Sequence, residues 1–137
     1  MSYTIRRIDY YNTTVHNDPG EAFEILTGLA GQNVNLLAFA GTPVGPTRTQ
    51  LALFPEESAR LVEAARRVGL ALDGPQPALL VQGDDELGAI AAVQRDLSRA
   101  GIHIYASTGV ADGRGGFGYI LYIRPDDSER AAHLLGV

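Results

Sequence analysis

The stretch DPGEAFEILTGLAGQNVNLLAFAG, residues 18–41, can be laid over ELGAIAAVQRDLSRAGIHIYASTG, residues 86–109, at an offset of 68. Gly20 then falls on Gly88, Leu29 on Leu97, Val34 on Ile102, Leu36 on Ile104 and Gly41 on Gly109. Identities are few, but apolar positions and glycines recur in the same order. Self-similarity at one fixed spacing is the mark of a duplicated structural unit. Beyond the next loop the offset becomes 70, with FPEES (54–58) over RPDDS (124–128). Two residues are therefore expected to have been gained in that loop of the second copy, where length changes are tolerated.

Within each copy the hydrophobic period switches in the same sequence. IDYYNTTVH (8–16) is rich in β-branched and aromatic residues and reads as a strand. Ala22, Ile25, Leu26, Leu29 and Ala30 then recur at helical spacing. Asn17 or Asp18 is the expected cap of that helix, with Pro19 in its first turn. NVNLLAFAG (33–41) returns to strand character, GTPVGPT (41–47) is a turn, and TQLALF (49–54) is a third strand. PEESARLVEAARRVG (55–69) opens on proline and acids and closes on Arg66, Arg67 and Gly69, the polarity a helix dipole favours. LAL (70–72) is expected as a short fourth strand.

The second copy reads ALLVQ (78–82) as strand, 86–100 as helix, IHIYAS (102–107) as strand, FGYILYIR (117–124) as strand and about 126–135 as helix. The fold class is α+β. Two ferredoxin-like βαββαβ units, 1–72 and 78–137, joined by a proline-rich linker at 73–77, are expected to stand side by side with an extended antiparallel sheet. The second unit lacks an obvious last strand. Either the long first strand, starting near Tyr3, or a second subunit is expected to cover the bare sheet edge.

Composition narrows the function classes. With no cysteine among 137 residues, disulfides, thiolate metal sites and cysteine nucleophiles are excluded. Net charge is −5 and all eleven basic residues are arginines with no stripe among them, so nucleic acid is not an expected partner, and the apolar runs fall short of the roughly 20 residues a membrane span needs, so no membrane is expected either. The start, MSYTIRRIDYYNTT, has no apolar run of the kind a signal peptide needs, and a cytoplasmic location is expected.

A duplicated unit with Asn17-Asp18-Pro19-Gly20 opening its first helix and Val34-Asn35-Leu36 entering its second strand resembles the ACT domain family. The second copy keeps Gly88 and AGIHI (100–104), with Leu87 in place of the proline and His103 in place of the asparagine. The resemblance spans nearly the whole chain. It implies a stand-alone regulatory protein that binds an amino acid or related small carboxylate at the junction of two units, without catalysis and without a cofactor. It also implies a homodimer and an enzyme regulated in trans. Carried over by position, the ligand-binding residues are Asn17, Asp18, Gly20 and Asn35 in the first copy, and Asp85, Gly88 and His103 in the second. Some amino-acid-binding members have a histidine two residues before the turn asparagine, where this chain has Val15. His16 is adjacent, but strand neighbours point to opposite faces.

Physical chemistry gives that turn a sense of its own. The first N–H groups of a helix lack intrahelical partners and favour an anion, and glycine lets a ligand approach the backbone. Asn35 supplies both donor and acceptor, and it is expected to face the same ligand.

Other motifs read differently. His16, His103 and His133 show no metal-ligand spacing, and Asp84-Asp85-Glu86 is an ordinary acidic helix start, so no metal site is expected. GRGGFG (113–118) matches a dinucleotide fingerprint in letters only, since a strand rather than a helix follows it; it reads as a hairpin connection or a lid. The alternatives are a small α/β-plait enzyme, such as an acylphosphatase-like hydrolase, and a purely structural protein-interaction module. The loop HNDPGE (16–21) has no phosphate-binding arginine, which weighs against the hydrolase.

Overall fold

The structure is a computed structural model describing residues 3–18 and 20–137. Pro19, expected in the first helical turn, lies outside the described residues. The elements run β1 (Tyr3–His16), α1 (Glu21–Gly31), β2 (Leu36–Pro43), β3 (Arg48–Pro55), α2 (Ser58–Val68), β4 (Asp73–Asp84), α3 (Ala89–Arg99), β5 (Ala106–Ala111), β6 (Gly116–Tyr122) and α4 (Ser128–Leu135), with a 3₁₀ turn at Pro125–Asp127 before α4. They form two compact units. One is continuous, Asp9–Gln76; the other is split, residues 3–8 with Pro77–Val137.

In the continuous unit the strand order is β2-β3-β1-β4. β3 pairs antiparallel with β1 (Tyr11 opposite Leu53) and with β2 (Phe39 opposite Leu53). The helices cover the face that carries Tyr11 and Leu53, burying them with Leu29, Val34, Leu61 and Ala64. Tyr10 and Phe54 alternate to the other face, where their rings meet at 5.0 Å. Residues 70–72 are not a strand; the fourth strand starts at Asp73, inside the expected linker. Its first turn of chain passes so close to β1 that a Cβ on Gly74 (φ 146°) would stand 2.9 Å from the Tyr10 carbonyl oxygen.

The split unit has the order β1-β4-β6-β5, with Leu79 opposite Leu121 and Ser107 opposite Leu121. Its core is built on Val81, Val93, Leu97, Leu121 and Ile123, and Tyr3 and Ile5 pack against it. The missing last strand is therefore supplied by the start of β1. Tyr3 Oη donates to Asp96 Oδ2 at 2.5 Å, Thr4 Oγ1 to the Gln82 carbonyl at 3.4 Å, and Arg7 pairs with Glu129 at 2.8 Å. The unit is a circular permutation of βαββαβ, its fourth strand placed first in the chain. The strand expected at 102–107 begins only at Ala106, although Ile102 is buried in this core and Ile104 packs against it.

The pairing register tests the duplication residue by residue. Tyr11–Leu53 and Leu79–Leu121 correspond at the offset of 68, as do Phe39–Leu53 and Ser107–Leu121. The offset thus holds through the hairpin, and the two extra residues lie after it, between β6 and α4, at the 3₁₀ turn Pro125–Asp127. The hairpin loop gained nothing.

Candidate functional site

Each unit's first strand ends in a turn that leads into its first helix, and the two turns are built alike. Asn17 N–H donates to the Thr47 carbonyl at 2.8 Å, and Asp85 N–H to the Gly115 carbonyl at 2.9 Å. The hairpin loop of each unit is thereby latched to its helix-entry turn. Gly20 (φ 97°) and Gly88 (φ 80°) are the N-caps, both left-handed, a conformation that favours glycine. Their carbonyls accept the Glu24 and Ala92 N–H groups at 2.9 and 3.0 Å.

The expected capping by Asn17 or Asp18 does not occur. Neither helix has a side-chain cap, because the cap position falls on glycine, two and three residues past the polar pair. Asn17 and Asp18 stand exposed at the turn, as do Asp85 and Gly88 in the split unit. Val15 is buried while His16 is exposed, so the two do face opposite ways.

Asn35 and His103 are not brought to these turns within their units. Each follows the helix that begins at the turn, and eleven residues of helix carry the chain about 16 Å away. Asn35 is occupied there: its Nδ2 donates to Glu56 Oε2 at 2.6 Å, and its carbonyl accepts the Glu56 N–H at 2.9 Å. His103 is exposed next to the buried Ile102. The expected facing of Asn35 toward Asn17 and Gly20 is corrected by the direction of α1, which returns the chain to the opposite end of the sheet.

The turns differ in what fills them. In the continuous unit Glu21 Oε2 accepts the His16 N–H at 3.0 Å, folding a carboxylate back over the turn. The matching residue of the split unit is Ala89, and an open cavity of about 470 Å³ lies there. Asp85, Glu86 and Gly88 form its polar side; Leu87, Ile90 and Phe117 form its apolar side. Glu21, Thr47, Gly115 and Phe117 are not among the ligand-binding residues expected from the sequence. The common offset of Thr47 and Gly115 was the available signal.

The glycine-rich loop is a hairpin connection, followed by strand β6. Asp112 Oδ1 accepts N–H groups from Arg114 at 2.6 Å and Gly116 at 3.1 Å. The Arg114 and then the Gly116 N–H hold the Asp112 carboxyl below its ordinary range. A Cβ on Gly116 would stand 2.9 Å from Asp112 Oδ2, so the loop's glycine serves its own turn.

Among the described residues no cluster of three or more histidines and carboxylates is placed to hold a metal ion. No helix among them is long and apolar enough to cross a membrane.

No family model matches the sequence, and no curated protein matches it. Solved structures do match in three dimensions. A protein of Bacteroides thetaiotaomicron superposes with a TM-score of 0.76 at 18% identity, over 98% of this chain and 88% of that one. The regulatory subunit of aspartate kinase from Thermus thermophilus gives 0.66 at 15% identity, over 98% and 94%. The corresponding subunit from Thermus flavus gives 0.62 at 14%, over 99% and 95%.

The fold is the tandem ACT fold.

The two copies of this chain repeat the helix-entry turn down to the latch from Asn17 N–H to the Thr47 carbonyl and from Asp85 N–H to the Gly115 carbonyl. At the two turns the side chains differ: Glu21 against Ala89, Asn17 against Asp85 and Asp18 against Glu86.

Proposed function

We propose that the chain is a regulatory protein that binds an amino acid or a similar small zwitterion without turning it over. The observation that carries this reading is the pair of matching turns, with a cavity at the turn of the split unit. At the split unit, the first N–H groups of α3 suit a carboxylate. Asp85 and Glu86 suit an ammonium group, and Leu87, Ile90 and Phe117 suit an apolar side chain. Asn17, Asp18 and Gly20 form the corresponding turn in the continuous unit. The likeness to structures described as regulatory subunits of aspartate kinase supports a regulatory role, with an enzyme in trans as the regulated partner.

A thermal-shift screen against the twenty amino acids and common small carboxylates tests the reading. A ligand at 100 times its Kd adds about 2.7 kcal/mol to stability, a displacement that is easily read. The expected result is a shift with one chemical class, lost on Asp85→Ala. A flat panel overturns the proposal.

A further inference from the structure

The two hairpin loops share a backbone frame and differ in what they present. Val44 N–H donates to the Arg48 carbonyl at 3.0 Å, and Asp112 N–H to the Gly116 carbonyl at 2.9 Å. Within that frame Thr47 or Gly115 latches the loop to its helix-entry turn. Just before the latch the continuous unit has Pro46, and the split unit, at the offset of 68, has Arg114. Proline offers neither a charge nor an N–H. Arg114 offers both. Its N–H goes to Asp112 Oδ1 at 2.6 Å, beside the Gly116 N–H at 3.1 Å, so the backbone from which the side chain leaves is fixed. Among the described residues the Arg114 guanidinium makes no ion pair.

Arg114 precedes Gly115, which holds Asp85, and it leads into the strand that carries Phe117; Asp85 and Phe117 both line the cavity of about 470 Å³. The charges of that cavity are unbalanced. Its polar side carries the carboxylates of Asp85 and Glu86. The start of a helix sets roughly half a positive charge against them. An ammonium group is favoured there, but a carboxylate is repelled unless a full cation stands beside it. Arginine is suited to that task, because its planar fork meets a carboxylate through two parallel hydrogen bonds.

We propose that Arg114 clamps the carboxylate of a ligand in this cavity, and that the ligand is an apolar α-amino acid. The inference rests on the reading of the cavity as a zwitterion site and adds the group that holds the acid. Arg114 and the start of α3 take the carboxylate, Asp85 and Glu86 the ammonium group, and Leu87, Ile90 and Phe117 the side chain. The continuous unit has no counterpart of the clamp. Pro46 stands in its loop, and the acid over its turn is its own Glu21.

The test uses the full chain, with leucine and phenylalanine as probes beside their carboxamides, which keep the ammonium group and side chain and lose the acid. Thermal shift over a concentration series gives each apparent Kd. The wild type is expected to bind at least one of the two amino acids, and at least tenfold more tightly than its amide. Arg114→Gln keeps the backbone N–H that Asp112 accepts, so its Tm without ligand should match the wild type. It is expected to bind the amino acid at least tenfold more weakly and the amide as before, a change of preference that a merely structural loop residue would not cause. Arg114→Lys keeps the charge, loses the bidentate geometry and should fall between the two. An Arg114→Gln protein that binds the amino acid like the wild type, or that loses acid and amide alike, overturns the clamp and leaves the zwitterion reading standing. A shift with polar amino acids alone overturns the apolar class. No shift with any of the twenty overturns the zwitterion reading, and the clamp with it.

Discussion

The Tyr3 hydroxyl donates a 2.5 Å hydrogen bond to the Asp96 carboxylate, 93 positions later in the chain. It fastens the first strand to a helix of the unit that the rest of that strand does not belong to. The contact shows in the titration of both groups. The Tyr3 hydroxyl holds the Asp96 carboxyl below its ordinary range, assisted by Arg95 and Arg99. The bond to Asp96, with burial second, pushes the Tyr3 hydroxyl up. A lowered carboxyl contributes stability above about pH 4 that is lost as pH falls through its folded value. A raised phenol contributes stability below about pH 10 that is lost as pH rises through its folded value. Tyr3→Phe is therefore expected to lower the Tm by a few degrees at neutral pH. Thermal melts of the two proteins should converge in strong acid and, at the alkaline end, only above the raised folded value of the Tyr3 phenol.

Gly74 is expected to resist substitution. Alanine there brings a Cβ to 2.9 Å from the Tyr10 carbonyl oxygen and 3.0 Å from the Tyr11 ring, at a φ of 146° that L residues rarely adopt. Such strain costs of order 1–3 kcal/mol. Urea titration of Gly74→Ala should show a lower midpoint with an unchanged slope. A midpoint equal to the wild type would mean that β4 does not press on β1 at this point.

Asn33 offers the opposite change. All four helices close with the same turn, in which an N–H returns to a carbonyl five residues back: Val34 to Leu29, Leu70 to Ala65, Ile102 to Leu97, Val137 to Ala132. The left-handed residue is Gly69, Gly101 or Gly136 in three of them and Asn33 (φ 62°) in the fourth. Asn33→Gly copies the solution of its own duplicate and is expected to stabilise by about 0.5–1 kcal/mol, since asparagine tolerates this region less well than glycine. Calorimetric melting measures it, and a lower Tm would refute it.

These contacts also mark where the sequence was readable. The repeat was legible because apolar period and glycine position are local properties, and Gly20 and Gly88 are needed by the same left-handed cap in both copies. The allegiance of residues 3–8 was not, because Tyr3 and Ile5 alternate as any strand does and nothing local names their partner. The two-residue gain was misplaced because FPEES and RPDDS can be matched only on the far side of the strand, and register alone shows that Leu53 still answers to Leu121. Asn35 was placed beside the wrong partners for a similar reason. A spacing of fifteen residues from Gly20 contains a whole helix, and a helix separates its ends.

The two helix-entry turns differ at the first helical residue, Glu21 in one and Ala89 in the other. Glu21 folds back to the His16 N–H at 3.0 Å, whereas its counterpart Ala89 lines the cavity of about 470 Å³. Ala89→Glu copies the Glu21 carboxylate into the split unit. Ala89 is buried in the split unit's core, so a carboxylate there has a desolvation cost, and the variant is expected to melt a few degrees below the wild type while its own response to the panel stays readable. On the proposed reading, its carboxylate occupies the space a ligand would take and adds a negative charge beside Asp85 and Glu86. The thermal shift produced by the best compound of the amino-acid panel should then fall at least tenfold in apparent affinity. Glu21→Ala should leave the split unit's response as it was. An Ala89→Glu protein that responds like the wild type would place the ligand away from this turn.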